Sequence, residues 1–260
     1  MASRIASLVE NLVEATATPY PVDRYLELID PMLTWRDARG KVTEITRQTD
    51  RTVTLTLTPT RQWKGHQAGQ YIEVSVIVDG VRHRRFFSPA NAAGGRGPIE
   101  LTVTAHDDGF ISKHLREQVR VGDVLGISTA QGEFLLPAQR PERTVLISGG
   151  SGITPVISML RTLVAEGHTA PVTLVHYARA ADDVPYAAEL EALARSLDNV
   201  DVVFHYTRGE NGTHFVGEHL AGLADAEGAQ LFLCGPPALM TAVREYHEEG
   251  HPAFGARFRD

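Results

Sequence analysis

Four short segments of this 260-residue chain bring together side chains that could do chemistry. The first is Arg84-Arg85-Phe86-Phe87-Ser88-Pro89. A guanidinium presents a fixed fork of donors that can pair two phosphate oxygens. On an extended strand Phe87 lies two residues beyond Arg85, hence on the same face, where its ring can stack on a flat ligand. Ser88 could donate to a ring nitrogen or carbonyl. The same residues also read as an exposed basic strand end with two core phenylalanines.

The second segment is Asp107-Asp108-Gly109-Phe110-Ile111-Ser112, followed by the helical Lys113-His114-Leu115. Gly109 permits a tight approach and Ser112 sits near a helix start, where unpaired N–H groups and a positive dipole end suit an anion. A helix following a turn is the plain alternative.

In the third, Leu146-Ile147-Ser148-Gly149-Gly150-Ser151-Gly152-Ile153-Thr154-Pro155, a buried strand runs into a glycine-rich turn that opens a helix. Pro155 falls in the first helical turn, where proline is tolerated. The glycines let a pyrophosphate lie against backbone at the helix start. No lysine follows them, which excludes a P-loop, and the spacing is not the strict G-x-G-x-x-G of the dinucleotide fingerprint. A purely structural turn would rarely need three glycines in four positions.

The fourth segment, Leu231-Phe232-Leu233-Cys234-Gly235-Pro236-Pro237, is another buried strand ending in a turn and a helix. In a doubly wound sheet, ligands bind outside the carboxyl ends of the strands, so Cys234 and Gly149 face one cleft on this reading. Cys234 is equally a small buried filler.

The elements that must position these segments follow from hydrophobic period. Residues 1–38 read as a helical extension and then a loop. Ile5, Leu8, Val9, Leu12 and Val13 form one apolar stripe, opposite Arg4, Ser7, Glu10 and Asn11. That polar face lacks the cationic character of a membrane-surface helix, which favours docking on the protein itself. From about residue 39 the period is two. Val53, Leu55 and Leu57 alternate with threonines, as do Ile72, Val74, Val76 and Val78 and then Ile99, Leu101 and Val103 with their neighbours. Short strands are expected near 124–127 and 134–136. With turns such as Asp79-Gly80 and Gly122-Asp123, this predicts an antiparallel sandwich or barrel over residues 39–138. Over 139–260, apolar runs at 144–147, 172–175, 202–204 and 231–233 alternate with amphipathic helical patterns. Such alternation predicts a doubly wound parallel sheet covered on both faces.

Composition narrows the function. A formal net charge of −7 argues against general nucleic-acid or anionic-lipid binding. One cysteine can neither form an internal disulfide nor supply the roughly four thiolates of an iron–sulfur cluster, so no cluster is expected in this chain and a reducing cytoplasm suits it. No apolar run approaches the ~20 residues of a membrane span, so no direct membrane insertion is expected.

Together, in this order, the four segments resemble the ferredoxin–NADP reductase superfamily over roughly residues 39–250. The resemblance is nearest to the branch found beside actinobacterial fatty-acid desaturases. It rests on Gly69-Gln70-Tyr71, Phe87-Ser88-Pro89-Ala90-Asn91 and residues 148–155, with weaker support from Asp30-Pro31 shortly before Trp35. It implies an antiparallel FAD-binding β-barrel followed by a nicotinamide nucleotide-binding α/β domain. The family's Arg-x-Tyr-Ser motif maps onto Arg85, Phe86, Phe87 and Ser88, with Pro89 following. Arg85 would bind flavin phosphate, Phe87 would stack on the isoalloxazine and Ser88 would approach N5. The tyrosine hydroxyl, and its contact to the ribityl chain, is missing at Phe87. Gly109, Ile111 and Ser112 map onto the second phosphate segment, and Thr104 and His106 just upstream are further cofactor-binding candidates. Gly149, Gly150, Ser151, Gly152, Thr154 and Pro155, with Cys234, Gly235 and Pro236, map onto the nicotinamide nucleotide segments. Thr154 and Cys234 would lie near the reacting ring, which makes Ser88 and Cys234 the candidates closest to the chemistry.

An NAD-specific site usually places an acid at the end of the second strand. Here Arg179 and Arg208 stand at the second and third strand ends, which favours NADPH over NADH, although Asp182 and Asp183 lie close behind. The implied reaction passes a hydride from nicotinamide to flavin N5 and then single electrons onward, with no acid–base triad. The implied acceptor is a ferredoxin or iron–sulfur domain, upstream of a desaturase or oxygenase. That branch often continues into a ferredoxin domain, whereas this sequence ends at Arg257-Phe258-Arg259-Asp260. The resemblance therefore implies either a separate ferredoxin or a shortened chain, with Arg82, Arg84 and Lys113 as a local docking patch. Two alternatives stay open: a reductase releasing free reduced flavin, and a non-catalytic redox-sensing subunit.

Overall fold

The computed structural model describes residues 19–209, 212–221, 223, 229–248 and 255–258. The apolar stripe at Ile5–Val13 lies outside them. A short helix, α1 (Val22–Leu26), opens the described part. Its buried Asp23 accepts hydrogen bonds from the backbone N–H groups of Trp35, Arg36 and Asp37, pinning the entry segment to the first sheet.

That sheet is antiparallel: β1 (Ala38–Arg47), β2 (Thr52–Pro59), β3 (Ile72–Val78), β4 (Val81–Phe87), β5 (Ile99–Thr104) and β6 (Val124–Ile127), in the order β4-β3-β6-β1-β2-β5. Its two edges approach through the bridge Pro89↔Leu101 and the bond from Ala90 N–H to the Glu100 carbonyl at 2.8 Å. Asp79 and Gly80 both adopt positive φ, the two-residue turn that matches strand twist, so Val78 pairs with Val81 in a tight hairpin. Alternation sends Leu55, Leu57, Ile72 and Leu101 inward around Trp63, all at most 1% exposed. Burial of each such side chain stabilises the fold by about 1.5–3 kcal/mol. Helix α2 (Phe110–Glu117) adds Ile111 and Leu115 to the same core.

The second sheet is parallel: β7 (Arg143–Gly149), β8 (Val172–Ala178), β9 (Val200–Tyr206), β10 (Ala229–Cys234) and β11 (Gly255–Phe258), in the order β11-β10-β7-β8-β9. Helices α3 (Ile153–Ala165), α4 (Ala187–Ser196) and α5 (Pro237–Glu248) connect its strands. β8 is buried along its whole length, as a central parallel strand should be. The chain order reverses between β7 and β10, which makes their carboxyl ends the switch point of the sheet.

The sequence reading differs from the structure at 134–136. Phe134 and Leu136 are buried, but no strand pairs with them. They belong to the core shared by α3 and the parallel sheet, alongside Ala68 and Ala90 from the barrel side. Alternating burial there reflects a crossing segment between two bodies rather than a ladder.

Candidate active site

The carboxyl ends of β7 and β10 meet in register, with Cys234 opposite Ser148. Packing accounts for two of the loop glycines. A Cβ on Gly152 would stand 2.2 Å from the Cys234 carbonyl oxygen, and one on Gly149 would stand 2.8 Å from Pro236 and Leu239. Gly150 has φ +53° with nothing within 4 Å of a built Cβ, so backbone conformation and not space selects it. The glycine count therefore follows from the protein's own geometry, and it is a weaker argument for a ligand than the sequence suggested. Gly235 sits 3.1 Å from the Gly149 nitrogen on the same measure, closing the two turns together.

A cavity of about 470 Å³ opens over this junction. Gly149, Gly150, Ser151 and Pro236 form one wall, and Tyr177, Arg179, Thr207 and Phe215 another. Thr104 and His106 reach it from the barrel, as do Arg51 and Thr52. The two sheets thus share one cleft. Thr154 and Pro155 occupy the first turn of α3, both buried, with the Thr154 hydroxyl donating to the Ser151 carbonyl at 3.3 Å. Cys234 is half-buried and packs against the core beneath. Arg179 lines the cavity, whereas Arg208 is exposed beside it, its N–H bonded to the Arg179 carbonyl at 3.1 Å. Asp183 lines the cavity as well, so both signs of charge face the same space.

Support for the wall is aromatic. Tyr177 is hydrogen-bonded to His219 at 2.8 Å, and His205 stacks on His219 at 3.7 Å. Burial pushes the Tyr177 phenol up and both imidazoles down; His219 lowers His205 further through its charge, while Glu218 partly offsets the lowering of His219. Below the floor, Ser148 and His176 are fully buried and joined by a 2.8 Å hydrogen bond. Desolvation lowers the His176 imidazole to about 4.

On the barrel side, register pairs Arg85 with Val74 and Phe87 with Ile72, so these two side chains share a face with His83. Arg85 is exposed, and Phe87 is half-buried against the barrel core. His83 touches Phe110, the first residue of α2, with ring centroids 5.4 Å apart, so the arginine face runs toward that helix start. The N–H groups of Phe110, Ile111 and Ser112 precede the first intrahelical bond, from Lys113 N–H to the Gly109 carbonyl, and no side chain caps them. An exposed guanidinium and an uncapped helix start on neighbouring elements fit a phosphate group. Ser112 also closes its own turn, donating to the Gly109 carbonyl at 3.1 Å.

Two candidates need correction. Phe86 projects to the opposite face, paired with Glu73 and edge-on to Tyr71 at 5.4 Å, because neighbouring residues of a strand alternate. The Ile111 side chain is barrel core, which leaves only its N–H for a ligand. Ser88 and Pro89 are buried at the strand end, with Ser88 2% exposed. The cavity-lining Tyr177, Thr207, Phe215 and Arg51 were not singled out as site residues from sequence. Position at a strand end could have marked Tyr177, Thr207 and Arg51, whereas Phe215, in the loop beyond β9, carries no such signal.

Comparison with known proteins places family models on both sheets. The oxidoreductase FAD-binding domain matches residues 40–135, and the oxidoreductase NAD-binding domain matches residues 146–245. An NADPH oxidoreductase of Mycobacterium tuberculosis is 34% identical over 239 residues, covering 89% of this chain and 62% of that protein. The NADH oxidoreductase HCR of Escherichia coli is 31% identical over 207 residues, covering 80% and 63%. The chain thus spans less than two thirds of the length of either relative. Among solved structures, a ferredoxin NADP+ reductase of Neisseria gonorrhoeae with bound FAD and NADP shares the fold at TM-score 0.72 and 18% identity, over 86% of this chain and 99% of that one. The cytochrome P450 reductase of Amycolatopsis does so at TM-score 0.73 and 24% identity, over 85% and 69%.

Proposed function

Because the chain belongs to the ferredoxin–NADP reductase superfamily, whose members are NAD(P)H-dependent flavoprotein oxidoreductases, we propose that it passes electrons from NADPH through FAD to a one-electron acceptor. The observation that carries this reading is the cleft lined by Gly149, Gly150, Ser151, Arg179 and Pro236 from the parallel-sheet side and by Thr104 and His106 from the barrel, with Arg85, Phe87 and Ser88 at the end of β4 outside that lining. Residues 39–138 would hold the flavin and residues 139–260 the nicotinamide nucleotide. FAD, when bound, supplies the conversion of a two-electron donor into a one-electron supply. The protein's part is to bind and orient. Arg85 and the N–H groups at the start of α2 take phosphate charge, and Phe87 offers a ring face from the same side of β4. Ser88, buried just beyond β4, would supply a hydroxyl to the flavin. The turn from Gly149 to Gly152 leaves backbone N–H groups open to a diphosphate, while Thr154 and Cys234 flank the switch point where the nicotinamide belongs.

Flavin retention tests the barrel half. Replacing Arg85 by Ala should lower FAD retained after gel filtration by about tenfold in affinity, the size of one lost charge-assisted contact. Retention equal to the parent protein would remove Arg85 from the site.

The preference for NADPH rests on Arg179 in the cavity wall and Arg208 bonded to its backbone. Substituting either by Ala should raise KM for NADPH about tenfold and leave KM for NADH nearly unchanged. Equal effects on the two nucleotides would assign the arginines to general electrostatics, with Asp183 then read as a partner of an unphosphorylated ribose.

For the acceptor we propose a ferredoxin or iron–sulfur domain serving an oxygenase or desaturase. The single cysteine of this sequence means that the thiolates of such a cluster come from elsewhere. The exposed outer face of β4, with Arg82, Arg84 and Phe86, offers charge and an aromatic contact for docking. Lys113 is turned back onto the Asp107 carbonyl. Among the described residues no helix is long and apolar enough to cross a membrane, and the lone thiol suits a reducing cytoplasm.

A further inference from the structure

We infer that Tyr186 and Arg161 are positioning residues, a latch that holds the nucleotide-binding end of α3 in register with the strand end carrying Ser88. The inference rests on the reading of the cleft given above. Tyr186 stands immediately before α4 at φ +62° and ψ 17°, a left-handed backbone that a bulky side chain rarely adopts. Such a conformation persists only where surrounding contacts over-determine it, and it tends to mark functional sites.

The contacts come from the barrel. The Tyr186 hydroxyl, 132 residues away in sequence from Thr54, lies 3.3 Å from the Thr54 hydroxyl and is hydrogen-bonded to Thr102. Those two threonines are themselves joined at 2.8 Å. The Tyr186 N–H donates to the Gln48 side chain at 3.2 Å. Over the ring sits the Arg161 guanidinium, 4.8 Å from its centroid. That guanidinium forks onto both oxygens of Glu189 at 2.7 and 2.6 Å, and donates to Glu100 on β5 at 2.7 Å and to the Ala90 carbonyl at 2.9 Å. One side chain thus joins α3, α4, β5 and the segment just beyond Ser88.

Two further bonds from α3 reach the same segment. Ser158 donates to the Asn91 carbonyl at 2.8 Å, and Thr162 accepts from the Ala93 N–H at 2.8 Å. The first turn of this helix carries Thr154 and Pro155, and the body of the helix is bolted to residues 90–93. A rigid rod of about 1.5 Å per residue therefore fixes the distance between the two halves of the cleft. Reaction between two bound rings depends steeply on that distance. Loosening the latch should therefore slow transfer without weakening either binding site.

The test uses FAD-loaded protein of this whole 260-residue sequence carrying Arg161→Lys or Tyr186→Phe. Lysine keeps the charge but loses the fork, and phenylalanine keeps the ring but loses the hydroxyl. Flavin reduction at saturating NADPH should slow about tenfold or more in Arg161→Lys and severalfold in Tyr186→Phe, while FAD retention and NADP+ affinity stay within about twofold. Calorimetry should show one unfolding transition in the parent protein and two in Arg161→Lys. Parent-like rates in both variants, or rates that fall only in step with NADP+ or FAD affinity, would overturn the latch. Should Arg161→Lys fail to fold, Tyr186→Phe decides the question by its rate and affinities. If NADPH reduces no flavin in the parent protein, the functional reading fails, whereas the separation of unfolding transitions still reports on the latch.

Discussion

Replacing Gly152 by Ala is expected to cut NADPH-dependent flavin reduction by about a hundredfold while sparing flavin retention. The added Cβ would fall 2.2 Å from the Cys234 carbonyl oxygen, 2.5 Å from its carbon and 2.8 Å from the Gly235 nitrogen. All three are backbone atoms at the end of a buried strand, so no rotamer change relieves the overlap. Gly152 itself has φ −66°, which alanine adopts freely, so the whole effect is steric. The two turns must part, and each lines the cleft. Gly150→Ala is the informative control. Its site has open space but φ +53°, which costs about 1–2 kcal/mol of backbone strain without moving β10. Stopped-flow reduction of the two variants side by side checks the contrast. Equal, mild effects would show that the contact between the turns does not shape the nucleotide site.

A second large effect should appear in stability against pH. His176 is fully buried, and desolvation lowers its imidazole from 6.5 to about 4. Between those values the unfolded chain binds a proton that the folded protein refuses. The stabilisation is present above pH 6.5 and drains away as pH falls toward 4, to a total of about 3 kcal/mol. Nδ1 is joined to Ser148 at 2.8 Å, while Nε2 has no partner. The less costly tautomer carries its hydrogen on Nδ1, because a buried acceptor left unused is tolerated better than a buried N–H. Urea unfolding of the parent and of His176→Phe across this pH range isolates the contribution from the carboxylates, which both proteins share. The parent should lose about 3 kcal/mol more than the variant between pH 6.5 and 4. Parallel curves would show that His176 is protonated in the fold.

Much of this architecture was legible in the residues. Alternating Val53-x-Leu55-x-Leu57 and the apolar run 144–147 named the two sheet types, because period two and continuous burial are direct consequences of one covered face or two. Strand ends were legible too, which is why Gly149, Cys234 and Arg179 stood out as candidates, and of these Gly149 and Arg179 line the cavity. Less accessible was anything set by contact between the sheets. Phe134 and Leu136 alternate like a strand, yet they cross from one body to the other. Phe86 entered as the second position of the family motif, although alternation within the strand puts it on the face opposite Arg85. Tyr186 and Arg161 carry no local signal, since their partners Thr54, Thr102, Glu100 and Ala90 are distant in sequence. At 149–152 the structure adds a reason for glycine that the sequence did not show: Gly149 and Gly152 make room for the neighbouring turn.

The most direct test of the central claim is an anaerobic titration of the FAD-loaded protein with NADPH, followed in the visible spectrum. A donor site and a flavin site facing one cleft predict bleaching of the flavin bands by stoichiometric NADPH, more slowly by NADH. Flavin that stays bound and oxidised in the presence of excess of either nucleotide would contradict the account.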